Sequence, residues 1–123
     1  MTGYLSDLGA TLGAIPTVSP GYRESAATSL TPAITDAFGG IGFTASTDIT
    51  VTIPTNASVA FPVWATLTFV QRGAGQVIVA GDVGVTVRKP ASKNAKTTEQ
   101  NSPVTVLKLS TDEWLLYGDL ESP

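Results

Sequence analysis

The chain has 123 residues, a net charge of −3, and neither cysteine nor histidine; it is long enough for one domain with a modest core and too short for two. The two absences exclude disulfides, thiolate zinc sites and cysteine nucleophiles, and remove the usual general base near neutral pH together with the commonest metal ligand. Only 14% of the residues are charged, against roughly 25% in ordinary soluble domains, and the acidic balance argues against nucleic acid as the main partner, because phosphate neutralisation needs clustered Lys and Arg.

Residues 1–46 carry no sustained strand alternation. Leu5, Leu8 and Leu12 share a helical face, but Gly3, Gly9 and Gly13 interrupt it, each weakening a helix by about 1 kcal/mol relative to alanine. Pro16, Pro20 and Pro32 exclude long helices and central strands. An extended N-terminal arm is expected here, with a helical turn after Thr31-Pro32 that Gly39-Gly40 would end. Tyr4, Leu5, Leu8, Leu12, Tyr22 and Phe38 make this arm too apolar for a free tail. It needs a covering surface, and they are its candidate anchoring residues.

From Asp48 the period becomes two. Ile49, Val51 and Ile53 alternate with Thr50 and Thr52, predicting a half-buried strand that Pro54 stops. Ser58 to Phe61 reads as a short edge piece. Val63 to Gln71 is the longest strand candidate and is apolar on both faces. Gly73-Ala74-Gly75 reads as a hairpin connection to a strand from Gln76 to Ala80. Gly81-Asp82 predicts another turn before alternating Val83, Val85 and Val87. Val104 to Leu109 and Trp114 to Tyr117 predict a last hairpin about Ser110-Thr111-Asp112-Glu113. The sum is an all-β chain of about six or seven strands, a small antiparallel sandwich or barrel-like module over residues 47–123 in which sequence neighbours pair directly.

Sites are sparse. Asn56-Ala57-Ser58 fits the glycosylation triplet by chance, and Ala80-Gly81-Asp82-Val83-Gly84 reads as a turn rather than a calcium repeat. Asp112 and Glu113 are adjacent, so in a strand their carboxylates would diverge instead of cooperating on one bond. The glycine triplet lacks a following GxGxxG pattern and makes a poor phosphate cradle. Arg88, Lys89, Lys93 and Lys96 read as a solvated loop tip. Trp64, Trp114 and Tyr117 suit a core, a subunit interface or stacking on sugar rings, with Gln71 and Arg72 as polar candidates at a strand end. No catalytic residue, cofactor or metal ligand emerges, and a non-enzymatic role is expected. No apolar run reaches the roughly 18–20 residues of a membrane span, and the N-terminus lacks a signal-peptide pattern, so synthesis in a cytoplasm and placement by assembly are expected.

Several phrases in order, Thr52-Ile53-Pro54-Thr55-Asn56, Phe61-Pro62-Val63, Thr68-Phe69-Val70-Gln71-Arg72-Gly73-Ala74-Gly75-Gln76-Val77, Gly84-Val85-Thr86-Val87 and Thr111-Asp112-Glu113-Trp114-Leu115-Leu116-Tyr117-Gly118-Asp119-Leu120, give the last three-fifths of the chain a resemblance to the small β-module of tailed-phage virion proteins. The resemblance implies a virion structural protein that forms a homotrimer on the virion surface and contacts the major capsid protein or another virion protein. Chain length, with no heptads and no internal repeat, favours a head decoration or head-fibre protein over a long tail fibre. The alternative is a tail-fibre or tail-tip protein that adheres to host surface glycans; a free carbohydrate-binding module stands as a reading from another class. Trp64 falls where similar modules carry a small residue, which implies an extra partner surface. The arm is expected to pack on its own module, on a sister subunit or on the shell.

Overall fold

The computed structural model describes residues 21–123, so the expectations for Tyr4, Leu5, Leu8 and Leu12 lie outside the described residues. Nine strands follow in order: β1 (Tyr22–Ser25), β2 (Ser29–Leu30), β3 (Gly40–Phe43), β4 (Ile49–Ile53), β5 (Thr66–Gln71), β6 (Val77–Gly81), β7 (Thr86–Arg88), β8 (Pro103–Ser110) and β9 (Glu113–Gly118). A single 3-10 turn, Ile34–Asp36, is the only helical element among the described residues. The chain is all-β.

The strands form a six-stranded sheet in the order β1-β3-β5-β8-β9-β7 and a three-stranded sheet in the order β2-β4-β6. Up to β6 the chain therefore alternates between sheets with every strand, and each strand lies parallel to the one two places earlier. Gly40 faces Thr68 and Ile49 faces Val77, the same sequence offset in both sheets, so β3-β4 and β5-β6 are successive turns of one winding. After β6 the path changes. β8 joins β5 and β9 antiparallel, and β7 closes the sheet parallel to β9.

This pairing corrects the expected antiparallel meander, since five of the pairs between these strands are parallel and only β5-β8 and β8-β9 are antiparallel. Gly73-Ala74-Gly75 carries the chain from one sheet to the other instead of closing a hairpin, because β5 and β6 have different partners. Gly75 sits where an added Cβ would lie 1.9 Å from the Thr47 carbonyl oxygen, so this crossover runs against the one below it at a distance only glycine allows. The hairpin between β8 and β9 is as expected, with a register shift at Lys108/Ser110. The strand predicted from Val63 starts instead at Thr66, because Trp64 has φ 77°, outside the extended region, and at 6 residues it is shorter than β8 at 8. Ser58 to Phe61 is turn and irregular chain, and Val83, 92% exposed, belongs to the turn before β7.

Residues 21–46, expected in the arm, supply β1, β2 and β3 and are integral to both sheets. The 3-10 turn starts after Ala33 rather than at Thr31-Pro32, and the Asp36 carboxylate accepts the Ala33 N–H at 2.8 Å. One buried cluster draws Ile41, Phe43, Leu67, Phe69, Val104, Val106, Trp114 and Leu116 from the larger sheet and Ile49, Val51, Ile53, Val77 and Val79 from the smaller. Their period-two spacing is what gives both sheets an apolar inner side. Residues 94–97 run along the outer edge of β6, with Ile78 bridged to Lys96 and Val79 N–H donating to the Ala95 carbonyl at 2.9 Å. Part of the expected solvated loop thus covers a strand edge.

Candidate functional site

The outward-facing side of the larger sheet is the most organised surface. Its register places Tyr22, Gly40, Thr68, Thr105 and Tyr117 in one cross-strand row over five strands. At the usual strand spacing, the two tyrosines stand about 19 Å apart. Between them the floor is small and polar, and the Thr68 and Thr105 hydroxyls bond each other at 3.0 Å. Tyr22 leans over the neighbouring strand: a Cβ on Gly42 would lie 1.9 Å from the Tyr22 hydroxyl and 2.8 Å from Arg72 Cγ. The Tyr22 hydroxyl donates to Glu24 at 2.8 Å, and Arg72 lies 3.9 Å from the same carboxylate. Desolvation and the Glu24 carboxylate raise the Tyr22 phenol above its ordinary value. Tyr22 and Arg72 thus form one group at this end of the row, and Tyr117, 43% exposed, stands at the other.

A second surface lies where β3 and β5 begin. Phe38, with φ 62°, donates its N–H to the Thr66 carbonyl at 2.7 Å, and Trp64 donates its own to Lys108 at 2.8 Å. Both residues precede their strands in left-handed backbone conformations, and Phe38, Val63 and Trp64 are all more than half exposed. Gly21 joins the same end, its carbonyl accepting the Gly40 N–H at 2.9 Å. The adjacent cleft of about 220 Å³ is lined by Gly21, Tyr22, Arg23, Thr35 and Asp36. Within it Arg23 and Asp36 pair with each other.

Two candidates leave the surface altogether. Gln71, 2% exposed, donates to the Gly73 and Ala74 carbonyls and accepts from Thr97; it points inward because β5 alternates Leu67, Phe69 and Gln71 on its inner side. It cannot meet a glycan or a sister chain. Trp114, 1% exposed, stacks edge-on against Phe61 with ring centroids 5.6 Å apart and is a core residue. Asp112 and Glu113 have separate partners, Asp112 accepting the Asn56 N–H at 2.8 Å and Glu113 pairing with Arg88 and Ser110. Those donors hold the Glu113 carboxyl below its usual range.

The sequence reading passed over Thr68, Thr105 and Glu24, which become neighbours of the tyrosines only through the register. It also passed over Lys108. That side chain is 2% exposed, and its alternation with Val104 and Val106 on β8 was a legible sign of an inward lysine. Among the described residues, no group of three or more His, Cys, Asp or Glu side chains is placed to hold a metal ion. No helix among them is long and apolar enough to cross a membrane. No protein-family model, curated protein or solved structure matches the chain.

Proposed function

We propose that this protein is a non-enzymatic structural component of a tailed-phage virion, a head decoration or head-fibre protein that presents its β-sandwich as a homotrimer on the particle surface. One observation carries the reading beyond the sequence resemblance. On the side from which the chain enters, both sheets end on strands, β1 and β2, that have no further neighbour among the described residues, whereas residues 94–97 cover the edge of β6. Unpaired edges are templates for further strands and are ordinarily protected. Exposed Phe38, Val63 and Trp64 add apolar area close to Gly21, where the preceding residues 1–20 join. This end therefore suits anchoring, with Tyr4, Leu5, Leu8 and Leu12 as anchors on the shell or on a sister chain. Binding that favours the assembled particle would stabilise the shell by mass action.

The second reading, a tail-tip or fibre-tip protein that binds host glycans, is favoured by the row from Tyr22 to Tyr117. Its two aromatic ends over a floor of glycine and threonine suit a short chain of sugar rings, with ring faces on the tyrosines and hydroxyls on Glu24, Arg72 and the threonines.

The test is light scattering after size-exclusion chromatography, followed by mixing with particles stripped of their appendages. A trimer that rebinds stripped heads supports the decoration reading. A monomer that ignores particles but binds host polysaccharide, and loses that binding on Tyr117→Ala, moves the glycan reading to the front. A monomer with neither affinity removes both.

A further inference from the structure

Lys108 is buried in the core without an ion pair among the described residues, an arrangement that is normally too unfavourable for a charged amine. Its Nζ lies 2.6 Å from the side-chain oxygen of Asn56 and 2.6 Å from the Phe61 carbonyl oxygen. The Trp114 ring is beside it, with the centroid 6.0 Å away. Asp112, in the turn between β8 and β9, accepts the Asn56 backbone N–H at 2.8 Å, so a carboxylate is held against the same asparagine. Desolvation lowers the Lys108 pKa, and the Asp112 charge partly offsets it. A buried amine whose pKa is lowered by desolvation, a primary amide in contact with it, a carboxylate on the same asparagine and an aromatic neighbour are the components of amide exchange.

We propose that Lys108 and Asn56 join in an intramolecular isopeptide bond, with Asp112 relaying the proton. Lys108 Nζ loses a proton to the Asp112 carboxylate, once a side-chain rotation has closed the gap of more than 4 Å between them, and attacks Cγ of Asn56. A tetrahedral intermediate forms, with its negative charge on Oδ1. Asp112 returns the proton to Nδ2, the Cγ–Nδ2 bond breaks, and ammonia leaves. One of the two protons then left on the former Nζ passes to ammonia, giving ammonium, and the other stays as the amide N–H. The sum converts an ammonium and a primary amide into a secondary amide and free ammonium, with no oxidant, reductant or cofactor. The contact to Oδ1 lies along a hydrogen bond, and attack on Cγ requires a turn about the last Asn56 torsion, which is broad for asparagine, to bring the face of the amide toward Nζ. The bond would tie the segment between β4 and β5 to β8, giving a permanent cross-link to a chain that has no cysteine.

The competing arrangement is a lysine that only tethers this segment by hydrogen bonds, and a further route to ammonia loss is succinimide formation at Asn56-Ala57. Intact-mass spectrometry of the full chain, denatured after purification, distinguishes them. The expected result is a mass one ammonia below that of the sequence, and a proteolytic fragment in which peptides containing Asn56 and Lys108 are joined. Lys108→Arg and Asn56→Ala should restore the unlinked mass, and Asp112→Asn should leave a large unlinked fraction. An unmodified wild-type mass after prolonged incubation overturns the proposal without relying on any variant. Ammonia loss that persists in Lys108→Arg, with no joined peptide, assigns succinimide and overturns it equally. A fully linked Asp112→Asn protein removes Asp112 from the reaction.

Discussion

Thr97 donates its hydroxyl to the side-chain oxygen of Gln71 at 2.6 Å while accepting the Val77 N–H at 2.9 Å. All of these groups are buried, so one threonine couples β5 of the larger sheet to β6 of the smaller through the segment that follows β7. Thr97→Val preserves shape but leaves the Val77 N–H and the Gln71 oxygen without this partner. Unsatisfied buried groups lose their full solvation, and the variant should be less stable by roughly 2 kcal/mol in urea unfolding. An unchanged midpoint would mean that water reaches these groups.

This network also explains what the sequence left illegible. Strands β4, β5, β8 and β9 are readable because alternating Val, Ile and Leu mark an inner side. Their partners are not, since parallel pairing across a crossover depends on which sheet a strand joins, and period two is blind to that. β1 and β2 were missed because Tyr22–Ser25 and Ser29–Leu30 lie at sheet edges and carry no apolar alternation. Gln71 read as a surface group by residue type alone, although its place two residues after Phe69 assigned it to the inner side. Likewise the row from Tyr22 to Tyr117 exists only through the register of five strands, and no local motif encodes it.

The bidentate pair of Arg23 Nε and Nη2 with Asp36, at 2.9 and 3.1 Å, fastens β1 to the 3-10 turn. Burial alone would raise the Asp36 carboxyl, but the Arg23 hydrogen bonds, the Ala33 N–H and the guanidinium charge prevail and hold it below its ordinary value. A depressed carboxylate contributes stability above its unfolded pKa, near 3.9, and loses it as pH falls through the lower folded value. Arg23 is half exposed, so screening keeps the pair to about 1 kcal/mol. The stability difference between the wild type and Asp36→Asn should therefore be constant from neutrality to about pH 5 and shrink toward about pH 2. A difference independent of pH over that range would remove the ion pair as its source.

Trp114 fills the core between β8, β9 and Phe61. Trp114→Ala removes one of the largest fully buried side chains and should destabilise the fold by about 3–5 kcal/mol, whereas Tyr117→Ala, on the outer side of the same strand, should change stability by under about 1 kcal/mol. Paired unfolding curves check both. Similar losses at the two positions would contradict the assigned faces of β9.

The open edge of β2 separates fold from assembly. Ser29 is exposed and faces Thr50 on β4, so Ser29→Lys leaves the core untouched and should shift stability by no more than about 0.5 kcal/mol. Lysine on a strand edge opposes addition of another strand because pairing would bury its charge. If the β1 and β2 edges meet a sister chain or the shell, Ser29→Lys should lower the fraction of trimer in light scattering and weaken rebinding to stripped particles, while circular dichroism stays unchanged. Trp64→Ser should act in the same direction by removing apolar area near the chain entry. Full assembly and rebinding by the double variant would exclude this end as the anchoring surface and leave the outer face of the larger sheet as the remaining organised contact.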